Sequence, residues 1–160
     1  MKKVKSLAAI VTIICVLSVV ANAQKKDERA PSAAQSPVEF QSASNPNART
    51  LSEFVRVGNI LYLSGKLGTD STGKLATGGI GPETKQTLEN IKTVLEKNGS
   101  SMDNVIKCTV MLADIKEWAD MNTVYVTFFK KERLPARSAF GTSGLVNNAR
   151  VEIECMAVLK

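Results

Sequence analysis

The chain contains no histidine. That absence removes the Ser-His-Asp and Cys-His systems, in which an imidazole activates the nucleophile. It also argues against a zinc or non-haem iron centre, since imidazole is the usual ligand of both. Any catalysis must rest on carboxylates, Arg, Lys, Tyr, backbone groups or water. Aromatic residues make up only 5% of the chain, too few for a platform that stacks nucleic-acid bases. Gly78-Gly79-Ile80-Gly81 precedes a helical pattern but lacks the spacing of either phosphate-binding glycine motif. No internal repeat is present. What remains is ordinary globular composition, 44% hydrophobic and 22% charged, in 160 residues, which is enough for one domain and not comfortably two.

The N-terminus stands apart from the rest. Lys2, Lys3 and Lys5 precede an apolar run over residues 7–20, and Ala21-Asn22-Ala23 supplies the small-x-small pattern of a cleavage site. The run is shorter than the roughly 20 residues a membrane span needs. Residues 1–23 therefore read as a cleavable secretory signal, with an uncleaved anchor as the alternative. Cys15 does not mark a lipoprotein, because Ile14 precedes it and it sits in mid-run. The expected location is periplasmic or secreted, with no stable membrane anchor after processing. Loss of three lysines changes the balance of basic to acidic residues from 21 against 15 to 18 against 15, a net +3. So mild a charge gives no argument for a nucleic-acid partner.

Two cysteines remain after processing. Cys108 alternates with Ile106, Val110 and Leu112, and Cys155 with Val151, Ile153 and Ala157. Both read first as small buried hydrophobes on strand faces, although an exported protein could pair them in a disulfide.

Residues 24–48, rich in Ser, Ala, Pro, Asn and Gln, read as a flexible leader, and residues 49–160 as the folded domain. Two strands at 53–56 and 59–64 flank a Gly58-Asn59 turn. Residues 65–81, with six glycines, read as a long loop. Pro82 suits the first position of a helix in which Leu88, Ile91 and Leu95 recur at helical spacing and which Asn98-Gly99 closes. A strand at 105–112, a helix at 118–129 and strands at 138–142 and 150–158 complete the order. This is an α+β pattern: one mixed or antiparallel sheet covered on one face by two helices. The bare face calls for a second copy or a ligand.

Three places break their local pattern. Asn122 interrupts the otherwise aromatic stripe Trp118, Tyr125, Phe129. It could hold a water or a substrate polar group, or bond a neighbouring loop. Arg137 follows Pro135 at the mouth of a strand, where a guanidinium suits bidentate capture of a carboxylate; an ordinary solvated or salt-bridged arginine is the plainer alternative. Glu152 and Glu154 share one strand face, opposite Val151 and Ile153. One of these carboxylates could orient or deprotonate a water, or the face could simply be solvated. Lys66 could serve as a base only if desolvated, and surface lysine is the plainer reading.

Five segments, taken in order, carry a family resemblance. They are Val57-Gly58-Asn59-Ile60-Leu61-Tyr62-Leu63-Ser64-Gly65, Thr87-Leu88-Glu89-Asn90-Ile91-Lys92, Met121-Asn122-Thr123-Val124-Tyr125 with Phe128-Phe129, Pro135-Ala136-Arg137-Ser138, and Val151-Glu152-Ile153-Glu154-Cys155. Together they resemble the RidA/YjgF/UK114 proteins over residues 51–160. The resemblance implies a chorismate-mutase-like fold and a homotrimer with ligand clefts between subunits. It implies hydrolysis of 2-imino acids, such as 2-iminopropanoate and 2-iminobutanoate, to 2-keto acids and ammonia, without metal or organic cofactor. A non-catalytic ligand-binding or chaperone-like trimer is the alternative, and a nuclease, an activity also found in this family, is disfavoured by export and mild charge. By resemblance Arg137 clamps the substrate carboxylate, Glu152 positions the attacking water, Asn122 lies in the cleft, and Gly65 lines it through its backbone. Ala139 stands where family deaminases often carry a cysteine, Phe54 where a cleft tyrosine is expected, and Lys66 where glutamine usually follows Ser-Gly.

Overall fold

Val151, Ile153, Cys155 and Ala157 are buried while the residues between them are not, so this last strand has one face in the core. It also has partner strands on both sides. The structure is a computed structural model and describes residues 37–42 and 50–160. The expected signal at 1–23 lies outside the described residues, as does most of the expected leader at 24–48.

The strands are β1 (Val38–Ser42), β2 (Ser52–Val57), β3 (Ile60–Leu63), β4 (Lys66–Leu67), β5 (Val105–Leu112), β6 (Ala136–Gly141) and β7 (Val151–Val158). They form one sheet in the order β1-β2-β3-β7-β5-β6, with β4 also on β7. Only β5–β6 is parallel, so the sheet is mixed. Helices α1 (Ile80–Lys97) and α2 (Trp118–Tyr125) supply Leu88, Ile91, Leu95, Met121 and Tyr125 to the core beneath the sheet. Leu88, Ile91 and Leu95 have essentially no exposed surface, so each is worth about 1.5–3 kcal/mol of apolar burial.

Several expectations change. Residues 38–42, assigned to the flexible leader, form β1 and pair antiparallel with β2; the strand is held by its backbone ladder, since Val38 and Phe40 are exposed. The glycine-rich stretch expected to be a plain loop contains β4 and a Thr69–Leu75 bridge. Helix α1 begins at Ile80 behind Gly79 (φ 94°), so Pro82 falls third, where its missing N–H still costs no helical bond. Helix α2 ends at Tyr125 and tightens into a 3-10 turn at Val126–Phe128. Ile106, expected on the face of Cys108, is turned out by a register shift between Val105 and Lys107, and Val105 is buried in its stead.

Cys108 and Cys155 are both buried, as their alternation implies, yet they are also joined as a disulfide. The reason is register: they are direct partners across β5 and β7, with Cα atoms 4.2 Å apart. A bridge spanning 47 residues stabilises a domain by about 2–4 kcal/mol.

Glu83, in the first turn of α1, is also buried (3% exposed). Its Oε1 accepts from the backbone N–H groups of Arg150 (2.7 Å) and Val151 (3.3 Å).

Candidate active site

Strand β6 runs parallel to β5 with Arg137 opposite Cys108 and Ala139 opposite Val110. Partners in a parallel pair share a face, so Arg137 and Ala139 point to the helical side, at the sheet edge. Helix α2 passes there. Trp118, Asn122 and Tyr125 fall on one side of it at helical spacing. Nη1 of Arg137 donates to Oδ1 of Asn122 at 2.7 Å. Its Cζ lies 4.5 Å from the centroid of the Tyr125 ring and 5.4 Å from that of Trp118. Both distances are within cation–π range. Thus the polar break in the aromatic stripe is explained: Asn122 bonds an arginine that the two rings cradle.

One of the five guanidinium donors is used in this way. Arg137 makes no ion pair and no other hydrogen bond among the described residues. It is therefore not the salt-bridged arginine that spacing alone allowed. Tyr125 cannot neutralise it. Burial pushes the phenol up to about 12, although the charge of Arg137 pulls the other way, so the ring stays neutral at physiological pH. Its hydroxyl is buried and has no hydrogen-bond partner among the described residues.

Glu152 lies elsewhere. It alternates with buried Val151 and Ile153, and its register partners are Met111 on β5 and Leu67 on β4. That parity puts it on the sheet face away from the helices. Its carboxylate rests against Gly65: a Cβ added there would fall 2.0 Å from Oε1. The missing side chain of Gly65 leaves the room that the Glu152 carboxylate occupies. Neighbouring Ser64 is tied to β2, donating from Oγ to the Ser52 carbonyl (2.6 Å) and from N to the Glu53 carbonyl (3.1 Å). Glu154 shares the face but is exposed. Lys66 bonds Glu53 at 3.2 Å, an ion pair that accounts for it without a catalytic role.

The six expected site residues thus divide. Arg137, Asn122 and Ala139 gather on the helical side at the β6 edge. Gly65 and Glu152 gather on the outer face. Phe54 belongs to neither: it is 6% exposed and packs in the core, so its expected place in the cleft is corrected. Its register partner is Leu63, also buried, and that pairing turns Phe54 inward. The cation–π contacts of Trp118 and Tyr125 were missed, although the aromatic stripe itself was visible and Asn122 within it was the signal.

Residues 42–159 match the family described as Endoribonuclease L-PSP. The chain is 42% identical over 108 residues to the 2-iminobutanoate/2-iminopropanoate deaminase of Mus musculus, a match covering 67% of this chain and 79% of that protein. It is 40% identical over 108 residues to the protein of the same name from Homo sapiens, covering 67% and 78%. Among solved structures, yeast Mmf1 superposes with a TM-score of 0.71 at 32% identity, covering 78% of this chain and all of that one. RidA from the Antarctic bacterium Psychrobacter sp. PAMC 21119 gives 0.66 at 35% identity, covering 75% and 94%.

Proposed function

The chain belongs to the RidA/YjgF family, and from that membership we propose that it hydrolyses small 2-imino acids, such as 2-iminopropanoate and 2-iminobutanoate, to 2-keto acids and ammonia. One observation carries the reading: a guanidinium held by Asn122, Tyr125 and Trp118 at a sheet edge, with no carboxylate paired to it among the described residues. Such a group donates two parallel hydrogen bonds to a substrate carboxylate. The similarity to two mammalian proteins named 2-iminobutanoate/2-iminopropanoate deaminase points to the same substrate class.

The chemistry needs little beyond placement. The imine carbon is already electrophilic. Water adds to it, and Glu152 takes the water proton. Glu152 passes that proton to the imine nitrogen as the bond to oxygen forms. In the resulting carbinolamine Glu152 relays the hydroxyl proton to the amine nitrogen as the C–N bond breaks, so that ammonia leaves, the keto acid remains and Glu152 returns to its carboxylate form. Net, one water is consumed per imine, with no oxidant and no organic cofactor. Fixing substrate and water side by side supplies much of the acceleration required.

Arg137 and Glu152 occupy opposite faces of the sheet, so one copy cannot hold both against one substrate. The proposed site is therefore shared: Arg137, Asn122 and Ala139 come from one copy, and Glu152 and Gly65 from the next. Two unlike surfaces meeting head to tail form a ring where the rotation closes, and the resemblance to the family supports a ring of three copies. The exposed apolar side chains of the outer face, Phe40 and Tyr62 among them, suit it for such contact. We place this enzyme outside the cytoplasm, after removal of the N-terminal signal, with small imino acids and no nucleic acid as its partners.

The test uses an amino-acid oxidase to generate imino acids in the presence of semicarbazide, which traps whatever imine survives. Wild type should suppress semicarbazone formation and Arg137→Ala should not. Equal suppression by both would remove Arg137 from the site, and none by wild type across several amino acids would end the hydrolase reading.

A further inference from the structure

We infer that Glu83 is a positioning residue for Glu152, an inference that rests on the hydrolytic role just given to Glu152. The two lie far apart in sequence and belong to different elements, α1 and β7. What joins them is the end of β4. That strand pairs Lys66 with Ile153 and Leu67 with Glu152, then stops. Continued register would set residues 68 and 69 against Val151 and Arg150. There the backbone leaves the ladder, and the N–H groups of Arg150 and Val151 turn to the carboxyl of Glu83. One side-chain oxygen does the work of the missing strand. Val151 is fully buried, so without that acceptor its N–H would be left unsatisfied in the core.

The same residue holds the other strand. A Cβ at Gly68 would lie 2.4 Å from the Glu83 carbonyl oxygen and 2.7 Å from its Cγ, so the chain leaving β4 is packed directly on Glu83. That carbonyl also accepts from Thr87 Oγ1 at 2.9 Å, which fixes it within α1. Glu83 therefore braces β7, which carries Glu152, and the end of β4, the strand that follows its contact Gly65. One brace lies immediately before Glu152 on β7, the other immediately after its partner Leu67 on β4. A carboxylate in the first turn of a helix is moreover favoured by the helix dipole. Arg137 lies on β6 and its hydrogen bond goes to Asn122 of α2, so none of the contacts of Glu83 touches it directly.

That separation sets the test. Purified full-length Glu83→Ala, Glu83→Gln and Gly68→Ala would be compared with wild type for kcat and KM on 2-iminobutanoate, and for binding of 2-ketobutyrate as a carboxylate probe. Glu83→Ala should lower kcat about 10- to 100-fold, as a misplaced reacting group does, with KM and the probe affinity nearly unchanged. Glu83→Gln, which keeps an acceptor oxygen for both N–H groups, should recover most of that loss. Gly68→Ala sets a methyl against the Glu83 backbone carbonyl and Cγ, so the β4 end and the first turn of α1 must part, and it should reproduce the kcat-selective defect with Glu83 still present. Full kcat in Gly68→Ala or Glu83→Ala, or a parallel fall in kcat and probe binding, would overturn the inference while leaving the hydrolase reading intact. Absence of turnover in wild type would overturn that reading and this inference with it.

Discussion

Arg137 sits over Tyr125, its Cζ 4.5 Å from the ring centroid, and bonds Asn122 one turn back on the same helix. A planar guanidinium held from these directions has a defined orientation, which an ammonium on a flexible stem would lack. Arg137→Lys keeps the charge and loses the fork. A charged, two-pronged contact is worth about 1.5–3 kcal/mol beyond what a single point charge recovers. Turnover of 2-iminobutanoate by the lysine variant should therefore fall about 10- to 100-fold in kcat/KM. Steady-state kinetics in the semicarbazide assay would decide it, and a lysine variant as efficient as wild type would rule out bidentate capture.

Tyr125 contributes its ring, not its hydroxyl. The hydroxyl is buried without a partner among the described residues, and burial raises its pKa from 10.0 to about 12. The folded state thus holds this proton more tightly than the unfolded chain. Stability tied to the neutral phenol is complete below pH about 10 and is lost as the pH rises from there through about 12. Tyr125→Phe keeps the face under Arg137 and removes the titrating group. Near neutral pH it should be as stable as wild type or more so, by up to about 1 kcal/mol, because an unsatisfied polar atom has gone. Scanning calorimetry at rising alkaline pH should show a shallower decline for the variant. An unchanged alkaline slope would assign the decline to another group.

Much of this was legible in the chain. The alternation at 151–158 gave both the strand and the parity of Glu152, and Asn122 and Arg137 stood out because each breaks an apolar pattern. The placement of Arg137 and Glu152 on opposite faces of the sheet was not legible. It depends on the register that sets Arg137 against Cys108 and Glu152 against Met111, and such pairing is non-local. Phe54 failed for a related reason: its inward parity follows from facing Leu63, which no local signal specifies. Strand β1 was hidden because Val38 and Phe40 are exposed and the segment is ordered only by its ladder with β2. Glu83 read as an ordinary first-turn acid, and nothing near it in sequence announces the two N–H groups it serves from the far end of the chain.

Gly65 offers a direct probe of Glu152. Its backbone is not in the left-handed region, so the obstacle to a side chain there is the carboxylate 2.0 Å from the added Cβ. Glu152 can swing away, so Gly65→Ala should fold. Its kcat should drop about 10- to 100-fold, since the carboxylate proposed to hold the water has moved. Repeated in a Glu152→Ala background, the same change should cost less than about 0.5 kcal/mol, since the colliding atoms are absent and the residual effect is that of independent sites. Thermal melts of the four proteins complete the cycle. Wild-type kcat in Gly65→Ala would mean that Glu152 need not stand where the structure puts it.

The division of the site between two faces makes the strongest demand on the assembly. Arg137→Ala and Glu152→Ala should each be inactive alone, since every site then lacks either its clamp or its water-holding carboxylate. Mixed, unfolded and reassembled together, they should regain activity. A shared site is intact whenever its arginine comes from a Glu152→Ala copy and its glutamate from an Arg137→Ala copy. Random assembly of equal amounts in a closed ring makes about one quarter of the sites complete. A site contained within one chain would regain nothing, because no copy in the mixture carries both groups. Recovery near a quarter of wild-type turnover, with the mixed ring verified by native mass spectrometry, would establish head-to-tail sharing. Mixed rings without activity would mean that Arg137 and Glu152 do not meet across an interface, and Glu152 would have to be withdrawn from the reaction.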